Sequence, residues 1–472
     1  MKRLICVCVA LMIALAAGCG PTIFIVWSPD GTRAVVLGDD GLHLCDLNGK
    51  LTGSLAPKAE CVAWLPDGKR IVVATEDVLR AWDEISKAFP KEAAAAAGNM
   101  DAVRSELLAA GGDWKKFTEA VSGTLHLSDG QLAMTLIDLR DHEKAALEAK
   151  LNDDMRKNLE SELVSVDNVE VYLVGDGVLN AGPELLSQLR DSGSGVDDLR
   201  VSSMGTAVTV TVDAKDEPPK LLVLATDGSG RSCDLGRAAG FPDWSPDGRT
   251  VVFERPYDWH KDNTGGALLG MVTRSQVIDD HGALLDTDHL PKADDLAGML
   301  FDPAGRVRVA KDGRISFVTT EITLPTTMQD VAPQKTIFLY DPQRPATLVR
   351  VIPRGAEQTL GDAAQYFELS PDARYISIPF GDGRVSVLDT TATDNVAIIV
   401  QEKPDEQQTI PTWRTATELT FVRPTADGKG HEIVRYSMTD KSVTVLSAGW
   451  PQSVLGALYK APATQPATQP AK

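Results

Sequence analysis

One recurring pattern restricts the fold of this chain more than any other feature. Val26-Trp27-Ser28-Pro29-Asp30-Gly31 precedes the apolar run Ala34-Val35-Val36-Leu37, and Ala63-Trp64-Leu65-Pro66-Asp67-Gly68 precedes Ile71-Val72-Val73-Ala74. Asp243-Trp244-Ser245-Pro246-Asp247-Gly248 leads into Val251-Val252-Phe253, and Leu369-Ser370-Pro371-Asp372-Ala373 into Tyr375-Ile376-Ser377-Ile378. In each copy the Pro presets φ for the second turn position and the Asp bonds its own backbone, and in three of the four a Gly accepts a positive φ. The flanking residues are β-branched or aromatic, so each copy reads strand, turn, strand. A repeated unit this small cannot bury its own apolar face and needs neighbours stacked on it.

A second mark follows each hairpin: an apolar strand closing in Asp, as in Leu44-Cys45-Asp46, Ala81-Trp82-Asp83, Ala225-Thr226-Asp227, Leu339-Tyr340-Asp341 and Val387-Leu388-Asp389. From turn Asp to strand-end Asp the spacing is 16, 16 and 17 residues for the Asp30, Asp67 and Asp372 copies, which implies one shared geometry. With a short fourth strand such as Leu51 to Leu55, each unit becomes a four-stranded antiparallel sheet. Degenerate copies fill the gaps, giving seven hairpins centred on Asp30, Asp67, Gly205, Asp247, Asp312, Asp372 and Thr415. The expectation is an all-β chain, a seven-bladed β-propeller of four-stranded antiparallel blades, with six or eight left open because degenerate units are easily miscounted.

The W-S-P-D-G hairpins and the apolar-Asp endings resemble the WD-repeat-like propellers of the TolB family, over most of the chain from Ile23 to Leu446. The resemblance implies an envelope protein that docks other proteins. The chain departs from that family in carrying its own lipidation signal and in lacking the α/β domain that precedes the propeller there.

Between Asp83 and Ser192 the β rhythm stops. Ala93 to Ala97 is a run of the best helix former, Asn99 or Asp101 can cap a helix through Ala110, and Asp113 can cap another through Val121. Leu147, Leu151, Met155, Leu159 and Leu163 recur every fourth residue, marking one apolar face of a helix from Asp141 to Leu163. Thr124 to Leu139 reads best as a hairpin, though Ser128 and Gln131 would also satisfy a capping box, and Val169 to Val174 reads as a short strand. Because Trp82-Asp83 keeps the strand-end spacing, the insertion is expected after the third strand of the second blade, as a mainly α-helical subdomain over 84–192. It serves either as a partner-binding element or as a cap over a blade edge. The remaining units are a signal at 1–18, first blades at 19–83, remaining blades at 193–450, and a closing segment with an Ala/Thr/Gln/Pro tail at 451–472.

The N-terminus sets the compartment. Lys2 and Arg3 precede an apolar run from Leu4 to Ala17, too short for a hydrocarbon core of about 30 Å, which ends in Leu15-Ala16-Ala17-Gly18-Cys19. The ending resembles the bacterial lipobox, which implies lipid attachment at Cys19; a plain secretory signal with an incidental Cys is the alternative. Gly20 rather than Asp after the thiol resembles an outer-membrane address, facing the periplasm. After cleavage three cysteines, Cys45, Cys61 and Cys233, remain besides the lipidated one, an odd number that leaves at least one thiol outside any internal disulfide.

Lys+Arg number 47 against 66 Asp+Glu, a net charge of −19, which argues against nucleic acid as a partner because phosphate neutralisation needs a basic face. Asp279, Asp280, His281, Asp286, Asp288 and His289 crowd one stretch and carry hard-oxygen and imidazole donors, but their spacing fits no EF-hand or H-E-x-x-H site, and a solvated acidic loop is the favoured reading. Tyr257, Trp259 and His260 form an aromatic and polar stretch suited to a partner contact, with packing on a blade edge as the alternative. No G-x-S-x-G nucleophile elbow occurs. The expected function is a lipid-anchored, non-catalytic scaffold without a cofactor that binds a protein or envelope polymer. The rival is a metal-assisted hydrolase or lyase, or a small-ligand site, in the propeller channel.

Overall fold

The computed structural model describes residues 25–450, apart from 39–40, 48–49, 53–54, 57, 128, 176–183, 191–194, 213–218, 258–267, 302–305, 322–333, 342–347, 351–366, 380–384, 392–397, 402–410 and 426–430. Seven antiparallel sheets lie among these residues, taken up in chain order. The first holds β1 (Ile25–Trp27), β2 (Ala34–Gly38) and β3 (Gly41–Cys45). The second holds β4 (Ala59–Trp64), β5 (Arg70–Leu79), β6 (Val164–Leu173) and β7 (Glu184–Arg190). β8 (Val196–Val201), β9 (Ala207–Val212), β10 (Lys220–Ala225) and β11 (Ser232–Arg237) make the third, and β12 (Ala239–Trp244), β13 (Thr250–Tyr257), β14 (Leu268–Gln276) and β15 (Asp294–Phe301) the fourth. The fifth comprises β16 (Val307–Val309), β17 (Ile315–Glu321), β18 (Gln334–Tyr340) and β19 (Leu348–Arg350). The sixth comprises β20 (Glu368–Leu369), β21 (Tyr375–Pro379), β22 (Val385–Asp389) and β23 (Ile398–Gln401). β24 (Thr412–Trp413), β25 (Glu418–Pro424), β26 (His431–Ser437) and β27 (Val443–Trp450) close the series.

Strands follow one another across every sheet, so each is a meander. Each of the seven expected hairpins joins the first two strands of one sheet. In six of them one bond closes the turn: Gly31, Gly68, Gly205, Gly248, Gly313 and Ala373 donate to the carbonyls of Ser28, Leu65, Ser202, Ser245, Ala310 and Ser370 over 2.8–3.0 Å. The turn aspartates act as the sequence implies: Asp30 Oδ1 accepts from Ser28 Oγ at 2.6 Å and from Thr32 N at 3.0 Å. Those bonds hold its carboxyl down to about 2. The strand-end aspartates open the next turn, Asp389 accepting from Thr391 N and Asp227 from Ser229 N. In the first sheet the fourth strand is reduced to isolated bridges, Leu42 with Ala56 and Cys45 with Leu51.

The first strands contact one another from sheet to sheet, β1 with β4, β4 with β8, β8 with β12 and β12 with β16, then β20 with β24 and β24 with β1. They form the inner ring, and apolar clusters fill the wedges between sheets. Val72, Val171, Val208 and Val210 pack between the second and third sheets, and Ile337, Phe367, Ile376 and Leu388 between the fifth and sixth.

The second sheet corrects three expectations. Its helical insertion lies between its second and third strands, because Leu79 pairs directly with Val164. Trp82 and Asp83 open a helix instead of ending a strand, and the segment expected to end at 192 returns to the sheet as β6 and β7. The helices are α1 (Trp82–Ala88), α2 (Pro90–Ala109), α3 (Trp114–Thr124), α4 (Asp129–Glu148) and α5 (Asp153–Ser161). α2 runs straight through Asn99 and Asp101, starting from Pro90 at its first turn, where the missing N–H costs nothing. Asp113 caps α3 as expected, its side chain accepting from Lys116 N.

The hairpin read over Thr124 to Leu139 is instead the start of α4, whose Met134, Leu136, Ile137 and Leu139 are all buried. The helix expected over Asp141–Leu163 is broken: Leu147 O takes bonds from Lys150 N and Leu151 N, and Asn152 Oδ1 caps α5 by accepting from Met155 N at 2.9 Å. The leucine stripe nevertheless does its work, since Leu147, Leu151, Met155 and Leu159 join Val103, Leu107, Phe117 and Val121 in the core of the insertion. No described helix is long and apolar enough to cross a membrane.

Candidate functional site

The repeated Trp is a staple between sheets, always reaching to the preceding one. Trp64 Nε1 donates to Val26 O at 2.9 Å, Trp244 Nε1 to Arg200 O at 2.8 Å and Trp413 Nε1 to Glu368 O at 3.2 Å. Trp27 Nε1 reaches Thr420 Oγ1 at 2.8 Å, joining the first sheet to the seventh. The hairpin turns interlock in the opposite sense, each arginine reaching to the following sheet. Arg33 Nη2 donates to Gly68 O at 2.6 Å, and Arg414 Nε to Gly31 O at 2.9 Å. Gly31 has φ +67°, and a Cβ there would lie 3.2 Å from Arg414 O; one on Gly248 would lie 2.8 Å from Met204 N. Glycine is therefore required twice over at these turns, by conformation and by the neighbouring turn. Short first-to-second strand turns are thus bonded to their neighbours at one end of the ring.

At the inner ring the structure brings together ionisable groups that the sequence patterns did not single out. Glu368, on β20, accepts from Arg308 Nε at 2.9 Å and Nη2 at 2.9 Å, from Arg306 Nη1, and from Arg200 Nη2 at 3.4 Å. Arg200 also bonds Asp198 Oδ2 at 3.2 Å. Asp243 on β12 takes Val309 N at 2.8 Å and Trp244 N at 2.9 Å. The side chains of Arg306 and Arg308 are only 2% and 4% exposed, while Arg200 keeps 24% of its surface exposed. Burial opposes the charge on Glu368, but Arg308, Arg306 and Arg200 outweigh it and hold the carboxyl well below the usual range. Burial, with Arg308 alongside, pushes the Arg306 guanidinium down to about 9, which leaves it charged at neutral pH. It stacks over Phe241, 4.8 Å from the ring centre. Burial raises Asp243, its largest influence, against the attraction of Arg308 and Arg200. The alternation of charge and apolar residue on β8 and β16, Asp198-Leu199-Arg200 and Arg306-Val307-Arg308, was the available signal; without knowing that first strands line the ring, it reads as ordinary surface patterning.

The residues singled out from sequence fare differently. Asp279 Oδ1 accepts from His281 N at 2.8 Å and Ala283 N at 2.9 Å within its own turn. Asp280 pairs with Arg249 at 2.8 Å, and His289 Nδ1 with Asp286 at 3.2 Å, the last two side chains 73% and 67% exposed. Among the described residues no three His, Cys, Asp or Glu side chains converge as a metal site. Tyr257 ends β13, paired with Leu269. Trp259 and His260, like Cys19, lie outside the described residues. Cys45, Cys61 and Cys233 are all free, and burial pushes the Cys45 thiol up to about 12 and that of Cys233 to about 11.

The insertion is gripped at its neck by α4. Arg140 donates to Arg80 O and, at 3.2 Å, to Glu162 O, holding both chain crossings, while Asp141 Oδ2 accepts from Trp82 N at 2.8 Å. One turn on, His142 Nδ1 lies 2.7 Å from Asp138 Oδ1, a carboxyl with a 4% exposed side chain.

Successive meander sheets, stapled by the repeated Trp and with the first sheet joined to the seventh, define a β-propeller. Among solved structures, TolB from Acinetobacter baumannii is similar at 12% identity and a TM-score of 0.37, over 59% of this chain and 58% of that one. The β-propeller domain of Myceliophteria thermophila Cps50 (Swd1) is similar at 8% identity and 0.41, over 90% and 96% of the two chains. A putative 6-phosphogluconolactonase from Bacteroides uniformis aligns at 10% identity and 0.40, over 86% and 91%. No protein-family model and no curated protein matches the sequence.

Proposed function

We propose that this chain is a seven-bladed, non-catalytic propeller, lipid-anchored through Cys19 to the outer membrane of a bacterial envelope and facing the periplasm. It holds a protein or envelope polymer on the face that bears the helical insertion. The observation that carries the reading is an asymmetry between the two ends of the ring. First-to-second strand turns are short and interlocked, whereas second-to-third strand connections leave the opposite face. These include the whole helical insertion between β5 and β6. Long elements on a rigid scaffold are where binding residues concentrate. Tyr257 ends its strand on this same face.

Seven sheets in unbroken succession, with Trp27 bonded to Thr420, support the blade count. A non-catalytic role is supported by thiols whose burial disfavours the thiolate and by an inner ring whose carboxylates are occupied by arginine or backbone N–H. The test is photo-crosslinking in intact cells from Lys115 or Glu119 on α3, with side chains 83% and 68% exposed, against Asp312 on the turn face, 51% exposed. Adducts from α3 alone are expected; adducts from Asp312 alone would overturn the reading. Because Leu79 and Val164 are directly opposed, residues 80–163 can be replaced by a two-residue turn, and that variant should lose the adducts while remaining folded. Cys19→Ala should release the protein from the membrane fraction.

A further inference from the structure

Arg306 lies where the fourth and fifth sheets meet at the inner ring. A single parallel bridge joins it to Phe241 on β12, just ahead of β16, and its guanidinium stacks on the Phe241 ring. Its side chain is 2% exposed, yet it is far less well bonded than its neighbour. Arg308 uses all three nitrogens, Nε and Nη2 on Glu368 and Nη1 on Val307 O at 2.7 Å. Arg306 reaches Glu368 through Nη1, and its Nε is buried without a hydrogen-bond partner among the described residues. A buried guanidinium N–H left without an acceptor is costly, because the charged group has lost its water as well.

The carboxylates of the cluster are already engaged. Glu368 Oε1 accepts from Arg306, Arg308 and Arg200 at once, Asp198 Oδ2 faces Arg200, and both oxygens of Asp243 take backbone N–H groups. Burial first, and Arg308 next, push the Arg306 pKa down to about 9, as befits a positive group with too little negative charge around it. We propose that the Nε–Nη2 edge of Arg306 holds a compact monovalent anion, chloride, between β12 and β16. The planar fork of a guanidinium is suited to an anion on that edge. An edge this deeply buried takes a halide in preference to sulfate, phosphate or the carboxylate of a larger ligand. The ion completes the charge pairing at the centre of the ring and is structural, taking part in no reaction.

Thermal unfolding of the full chain at constant ionic strength, with gluconate replaced stepwise by chloride, tests this. Tm should rise by roughly 1–3 °C and then saturate, and bromide should act alike. Arg306→Lys keeps the charge but removes the Nε–Nη2 edge, and should show no such dependence. Equal Tm in gluconate and chloride would overturn the proposal. So would a rise that never saturates and persists in Arg306→Lys, which is the general effect of salt on apolar burial. Should that variant fail to fold, the anomalous signal of a bromide-soaked crystal of the natural chain decides. Bromide within hydrogen-bond reach of Arg306 Nε supports the site, and water alone at that edge overturns it.

Discussion

Arg200 and Glu368 meet across the middle of the ring: Nη2 of the first lies 3.4 Å from Oε1 of the second although two whole sheets, the fourth and fifth, separate them in the chain. With Arg306 and Arg308 bound to the same carboxylate, one acidic residue ties the third, fifth and sixth sheets together. Such a group is costly to remove, because its partners remain buried and charged.

Glu368→Gln is therefore expected to destabilise the propeller by about 3–5 kcal/mol, read from denaturant midpoints. The pH dependence has a definite sign. A carboxyl held below its unfolded value contributes stability that is fully present above that value, about 4.3 for Glu, and is lost only as pH falls through the lower folded value. Glu368 should then cost nothing between neutral pH and about pH 5, with the loss confined to stronger acid.

Closure of the ring can be probed at one bond. Thr420→Val keeps shape and removes the acceptor of the Trp27 indole, which is buried. A loss of about 1–2 kcal/mol is expected, whereas Trp27→Ala, which also empties the wedge it shares with Ile25 and Ile433, should cost about 3–5 kcal/mol. Thermal unfolding of the two variants separates the bond from the packing.

The third sheet carries an imperfect copy of the turn. Ser202 occupies the place of Ser28, but Met204 stands where Asp30 accepts the serine hydroxyl, and Ser202 Oγ is buried without a partner among the described residues. Met204→Asp supplies the missing acceptor and should stabilise by roughly 1 kcal/mol, seen as a raised melting temperature. Ser202→Ala, which removes the orphan, should be close to neutral.

The insertion should loosen with alkali. The hydrogen bond to Asp138, first among its causes, raises the His142 pKa above its ordinary value. A raised histidine contributes stability that is complete below about 6.5 and fades as pH rises through the folded value. Protection factors of the α4 amides, with the intrinsic base-catalysed rate divided out, are expected to be lower at pH 8.5 than at pH 6, with those of the seven sheets unchanged, and His142→Ala should abolish the difference. Persistence of the difference in that variant would assign it elsewhere.

The hairpins and the strand-end aspartates were legible because turn chemistry is local: Pro, Asp and Gly act within four residues, whatever surrounds them. The insertion was legible as helical but not in its limits. Trp82-Asp83 matches the strand-end mark in spacing, yet these residues start α1, since Ile85 and Phe89 find a buried face with Met134 and Ile137. Period alone also ran α4 and α5 together, because Asn152 interrupts the helix without interrupting the leucine stripe.

The chain by itself therefore determined the unit, a hairpin extended to a meander sheet, and the need for such units to stack. Tertiary structure alone decided which charges share a site. Asp198, Arg200, Asp243, Arg306, Arg308 and Glu368 are spread over four sheets and look solvated in any local window; closing the ring withdraws water from all of them at once, and only then must each carboxylate find its guanidinium or backbone N–H.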